Sequence, residues 1–179
     1  VHEQFLSRLA KGDFPKRAHS LSAEQAGLNR AELGQIFISQ MTSRQLDRAA
    51  RDMQKRGEGF YTIGSSGHEG NAAIAAALRP TDMAFLHYRD AAFQIHRASQ
   101  MPGETPIWDI MLSFAASADD PISGGRHKVL GSKRLNIPPQ TSTIASHLPK
   151  AVGAAYSVGL SKRVKPEFQQ LPTDAIIMC

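Results

Sequence analysis

Tyr88 and Arg89 stand side by side in FLHYRDAAFQIH, residues 85–96, where an apolar run ends and a small-residue segment begins. A guanidinium carries a planar fork of donors matched to phosphate oxygens, and a phenol adds a neutral donor beside it. At the carboxyl end of a strand, just ahead of a helix, such a pair can grip a diphosphate. The competing reading is plainer: a tyrosine with a wet tip and an arginine laid along the surface in an ion pair. Spacing alone leaves the two balanced.

Other stretches that invite chemistry fail on their intervals. GSSGHEG, residues 64–70, does not have the spacing of a nucleophile elbow. His68-Glu69 opens an H-E-x-x-H zinc motif, but position 72 is alanine. GGRHKVLGSK, residues 124–133, does not match a Walker A loop, and GEGFYTIG, residues 57–64, is not a dinucleotide fingerprint. Hydrolase, zincin, P-loop enzyme and simple dinucleotide binder therefore lose ground.

The elements that would position the pair follow from periodicity. Residues 1–29 are polar and weakly patterned, an arm suited to wrapping a partner, with Ser22 and Gln25 spaced as a capping box. Leu33, Ile36, Phe37, Met41, Leu46, Ala50 and Met53 recur at helical steps, so 30–56 is an amphipathic helix. Its break is expected near Thr42, its stop at Gly57, and its Met and Phe positions in the core. Phe60–Ile63 and Met83–His87 read as strands, with an alanine-rich helix from His68 between them and a helix N-capped by Asp90 after them. Thr105-Pro106 starts a further helix with Trp108, Ile110, Met111 and Phe114 on its apolar face. Residues 117–146 are irregular and rich in glycine and proline, and a helix resumes near Leu148. Strands alternating with helices predict an α/β fold with an open, mostly parallel sheet flanked by helices.

Bulk composition fits one ordinary core. With 41% hydrophobic and 21% charged residues the chain is not disordered by composition. The formal charge of +5 invites a nucleic-acid partner. The basic residues are dispersed, however, and the groups Lys55-Arg56 and Lys162-Arg163-Val164-Lys165 fall where helix C-termini are expected. Nucleic acid is the remote alternative. Cys179 is the lone cysteine, which excludes a disulfide framework and suits a reducing, cytoplasmic setting. No membrane span or secretory signal is read. Position 1 is valine, and Ala175–Cys179 reads as a buried strand with nothing after it, which suggests a fragment truncated at its C-terminal end.

FYTIGSSGHEGNAAIAAALRPTDMAFLHYRDAA, GGRHKVLGS and TSTIASHLPKAVGAAYSVGLSKR, in that order, resemble the alpha subunit of the thiamine-diphosphate-dependent decarboxylating dehydrogenases of 2-oxo acid dehydrogenase complexes. The similarity runs over residues 30–179, and its branched-chain members look nearer than its pyruvate or acetoin ones. It implies a thiamine-diphosphate-binding fold, incomplete at residue 179, and an enzyme that oxidatively decarboxylates a 2-oxo acid and passes the acyl group to a lipoyl carrier.

For single residues the resemblance implies that His87, Tyr88 and Arg89 line the cofactor, the last two on its diphosphate, and that Ser142 and Ile144 hold the aminopyrimidine ring. Thr141, Thr143, Ser146 and His147 match a run that surrounds a structural potassium ion in branched-chain members. Here Thr143 replaces a proline of that run and His147 a glutamine. The 124–133 loop matches a mobile channel-closing loop, with His127 as its catalytic candidate. Glu69 is expected to cap, and His68 to pack or hydrogen-bond. The Mg²⁺ motif of the family begins beyond Cys179. A beta subunit or fused beta-like region and a lipoyl acyltransferase are the implied partners. A catalytically silent alpha-type scaffold is the rival from another class.

Overall fold

The computed structural model describes residues 2–13, 21–164 and 175–179. The chain divides into two units, Val1–Leu33 and Gly34–Cys179. In the first, helix α1 spans His2–Ala10, an element that the polar arm did not foretell. The Ser22 hydroxyl accepts the Gln25 amide at 3.1 Å while the Gln25 side chain accepts the Ser22 amide at 2.9 Å, which is the expected capping box. A second box went unread. Asn29 Oδ1 accepts the amides of Ala31 and Glu32, and Glu32 Oε2 accepts the Asn29 amide at 2.8 Å.

Helix α2, Arg30–Lys55, runs unbroken through Thr42. It stops as expected at Gly57, whose φ of +72° a side chain would resist. Its buried face is Ile36, Ser39, Ser43, Leu46, Asp47, Ala50 and Met53. Phe37 and Met41, expected in the core, are instead 60% and 43% exposed. Two of the three polar members of this inward stripe find partners: Ser39 Oγ lies 3.0 Å from His96 Nδ1, and Asp47 holds Ser65.

The expected strand at 60–63 does not form. The Phe60 amide donates to the Phe114 carbonyl at 2.9 Å, a helix-end acceptor, so no ladder is available to it. Helix α3, Asn71–Ala77, starts three residues later than His68, after a turn at 66–70 in which Glu69 Oε2 accepts the Gly67 amide. Strand β1, Met83–Phe85, stops short of His87. Helix α4, Ala91–Ser99, follows, then α5, Pro106–Phe114, and α6, Leu148–Val164, the last two with the foreseen starts. Lys55 ends α2 with Arg56 just beyond it, and Lys162 and Arg163 fall in the last turn of α6; Lys165 lies outside the described residues.

Strand β2, Ile176–Met178, pairs parallel to β1, with Met83 opposite Ile176 and Phe85 opposite Met178. The described sheet is thus a two-stranded parallel pair in a mixed helical setting. Across β1 from β2, the Ala84 amide donates to the Asn136 carbonyl at 3.0 Å. The irregular 117–146 segment therefore belongs to the core, contributing buried Leu130, Leu135 and Ile137 against Phe93 and Phe114. Fully buried Arg97 ties it to the sheet: Nη1 donates to the carbonyls of Asp82 and Leu135, and the guanidinium stacks 4.7 Å from the Phe93 ring. Burial pushes its pKa down to about 10.

Gly125 locks the irregular segment locally. Its φ is +75°, and an added Cβ would collide with the Ala116 and Ser117 carbonyl oxygens. Gly125→Ala is expected to cost about 2 kcal/mol, read as a lowered midpoint in chemical denaturation of the intact protein.

Much apolar surface stays open. Helix α6 buries Ala151 while Val152, Tyr156 and Val164 are exposed. Trp108, expected on a buried face, is also exposed, although Ile110 and Phe114 of the same helix are in the core. A groove of about 600 Å³ is lined by Phe37, Ile38, Met41, Leu46, Ile107 and Met111. Among the described residues, no helix is long and apolar enough to cross a membrane.

Candidate functional site

Parallel strands deliver their last residues to one edge, and here β1 and β2 both point to the same cluster. Leu86 continues β1 into a turn that carries His87, Tyr88 and Arg89, all half-buried, and then Asp90, fully buried. Asp90 occupies the N-cap position of α4, and its carbonyl accepts the Phe93 amide, but its side chain makes no bond to that helix's amides. Its carboxylate reaches backward instead. Oδ2 accepts the His87 amide at 2.6 Å, and Oδ1 lies 2.7 Å from both His68 Nδ1 and Asn71 Nδ2. The expected helix cap is thus the clasp between the Tyr88 turn and the start of α3.

Arg89 fastens the other side. Nη1 donates to the Gly64 carbonyl at 2.6 Å, and the guanidinium lies 5.2 Å from the Tyr88 ring. The Gly64 turn is itself tethered by Asp47, which accepts the Ser65 amide and hydroxyl and the Arg44 guanidinium. Arg44 bridges on to Glu69 at 3.1 Å. Buried Asp47 therefore sets, through one turn, where Arg89 is held.

Three imidazoles line the edge. The rings of His68 and His87 stack at 5.1 Å, His87 lies against Tyr88 at 3.8 Å, and His147 is 6.4 Å from His87. Burial pushes the His87 pKa down; Asp90 opposes the shift, and His68, Arg89 and His147 reinforce it. His87 is therefore neutral at pH 7. His147 Nε2 is 2.8 Å from the Cys179 carbonyl, which brings the 141–147 run to the end of β2. Burial raises the Cys179 thiol to about 12, so it stays protonated and is no nucleophile.

The remaining expected residues arrange as follows. Ser142 donates its amide to His127 Nε2 at 3.0 Å, so that imidazole nitrogen is engaged. Ile144 is 72% exposed. Thr141 Oγ1 and Ser146 Oγ are 3.1 Å apart, and the Ser146 amide donates to the Thr143 carbonyl. His147 turns away from these three to Cys179. Among the described residues, no group of three or more His, Cys, Asp or Glu is placed to hold a metal ion.

Sequence reasoning missed Lys128, Asp47 and Asn71. Lys128 is 3% exposed, donates to the Tyr88 carbonyl at 2.6 Å and lies 5.7 Å from the Phe114 ring. Nothing in a glycine-rich basic loop distinguishes a buried lysine from its solvated neighbours.

The carboxyl end of the parallel strand pair thus carries three histidines, Tyr88 and Arg89 on one edge of an α/β arrangement. No family model matches the chain. The chain is a homologue of 2-oxoisovalerate dehydrogenase alpha subunits, as the ordered motifs foretold. It is 33% identical over 115 residues to the mitochondrial alpha subunit of Caenorhabditis elegans, covering 63% of this chain and 25% of that protein. Over 131 residues it is 32% identical to the mitochondrial alpha 2 subunit of Arabidopsis thaliana, 72% of this chain and 26% of the relative. The mitochondrial alpha subunit of Mus musculus is 28% identical over 137 residues, 75% and 30% respectively. The chain thus spans between a quarter and a third of the length of these relatives.

Proposed function

We propose that this chain supplies the diphosphate-anchoring part of a thiamine-diphosphate-dependent 2-oxo acid dehydrogenase, acting on a branched-chain 2-oxo acid. One observation carries the reading: Tyr88 and Arg89 leave β1 at the ligand edge of the parallel pair, with Arg89 preset by the Gly64 carbonyl. Among the described residues the other guanidinium nitrogens donate to nothing, so the fork keeps donors for phosphate oxygens, and the Tyr88 hydroxyl adds another. The amino end of α4, uncapped by Asp90, adds the positive end of a helix dipole. These residues fit a diphosphate.

When bound, the thiazolium ring accepts the electrons released as CO₂ leaves the 2-oxo acid. This chain's residues hold and orient. Tyr88 and Arg89 grip the diphosphate, the Asp90 carboxylate stiffens their turn, and neutral His87 lines the pocket without adding charge. Because His127 engages the Ser142 amide, holding the aminopyrimidine ring falls to the Ser142 carbonyl and the backbone of Ile144. The branched-chain substrate rests on the relatives' names, and transfer to a lipoyl carrier rests on the family resemblance. The exposed apolar faces of α5 and α6 suit a beta subunit or beta-like region, which would complete the pocket and the Mg²⁺ site.

Calorimetry of the full-length protein with thiamine diphosphate and Mg²⁺, with and without the partner half, tests the reading. Saturable heat with the partner present is expected. A folded, assembled complex that takes up no cofactor is a scaffold and ends the enzymatic proposal.

A further inference from the structure

Two adjacent residues of one loop touch both segments that would hold the ligand. His127 accepts the Ser142 amide, and Lys128 donates to the Tyr88 carbonyl from 40 residues away. We propose that Lys128 is a positioning residue of the site: its buried ammonium fixes the turn that carries Tyr88 and Arg89 and couples it to the Gly124–Lys133 loop. The inference rests on the function proposed above.

The geometry is specific. Lys128 is buried under the Phe114 ring, and its ammonium bonds a backbone carbonyl rather than a carboxylate. The charged groups facing it are Asp47 of α2 and Arg89 and Asp90 of the turn. The two carboxylates offset the two cations in number, but neither bonds the ammonium directly, so its charge acts on the Tyr88 turn that it holds. Backbone placement matters too, because the Tyr88 carbonyl lies between the two side chains expected to bind.

Burial lowers the Lys128 pKa to about 8, with Asp47 and Asp90 opposing and Arg89 reinforcing. Two consequences of opposite sign follow. The unfolded chain holds this proton more tightly than the folded one, so fold stability rises with pH above about 8. An anionic ligand favours the protonated amine, so its affinity falls over the same interval.

The test is the affinity of the full-length protein, with its partner half, for thiamine diphosphate and Mg²⁺ between pH 7 and 9, for the wild type and Lys128→Met. Wild-type affinity is expected to fall by about tenfold across this window, while thermal stability does not fall with it. Lys128→Met is expected to bind about tenfold more weakly at pH 7 and to lack the wild type's pH-dependent fall. Both proteins see the same ligand titrations, so the difference between profiles belongs to Lys128. A folded Lys128→Met with wild-type affinity and profile overturns the proposal and leaves the functional reading intact. Should the variant not fold, the wild-type profile decides, and a flat one overturns the assignment. A wild type that binds nothing at any pH removes the functional reading, and this proposal with it.

Discussion

Replacing Asp90 by alanine is expected to destabilise the protein by roughly 3–5 kcal/mol, the largest loss of stability among the changes considered. The carboxylate is fully buried and accepts from the His87 amide, the His68 ring and the Asn71 side chain, at 2.6–2.7 Å. Alanine would leave all three donors facing a void that offers no acceptor. The three donors are only partly exposed and regain water incompletely, so the cost exceeds that of three fully exposed bonds. Asp90→Asn separates charge from shape. It keeps one oxygen but cannot serve all three donors, so it should lie between wild type and alanine. Denaturant unfolding of the intact protein reads the series. Wild-type stability in Asp90→Ala would falsify the clasp assigned to this residue. The loss should also reach ligand binding, because the His87 amide held by Asp90 opens the turn on which Tyr88 and Arg89 stand.

Arg89→Ala is expected to act in the other direction, with a large effect on ligand and a small one on fold. In the folded state the side chain makes one bond, to the Gly64 carbonyl, and lies against the Tyr88 ring from a half-exposed position. Losing these should cost about 1 kcal/mol of stability. The remaining guanidinium donors are those assigned to the diphosphate, and a bidentate, charge-assisted pair at about 3 kcal/mol corresponds to roughly 100-fold in affinity. Isothermal titration with thiamine diphosphate and Mg²⁺ gives the affinity, and a parallel melt gives the stability. Arg89→Lys keeps the charge but loses the planar fork, so it should recover only part of the binding. Unchanged cofactor affinity in a folded Arg89→Ala would remove Arg89 from the site. Equal losses of binding in Asp90→Ala and Arg89→Ala, with only the former unfolding early, would match the roles of positioner and ligand.

Much of this site was legible from residues close together in sequence. Tyr88 and Arg89 do follow a strand and precede a helix, and the Thr105-Pro106 start and the Gly57 stop of α2 fall where their chemistry put them. The ordered motifs brought out a homology that the chain bears over most of its length. What misled was identity taken without partners. Asp90 has the residue type and position of an N-cap, but His68 and Asn71 lie within reach and take it. Phe37 and Met41 have core residue types on a helical stripe, yet α2 rotates a neighbouring stripe inward. Residues 60–63 have strand composition but find a helix-end carbonyl in place of a strand.

From the amino acids alone came several features governed by groups within about four residues of one another: the Ser22–Gln25 box, the Gly57 stop, the Pro106 start and the strand-to-turn exit bearing the phenol and guanidinium. Only the tertiary structure decided that a lysine 40 positions on would be buried against the Tyr88 carbonyl, that a cap would become a clasp, and that 117–146 would join the core. The physical reason is that a buried polar group must be satisfied by whichever partner packing brings within 3 Å. That choice depends on the whole chain closing around it, and no local spacing encodes it.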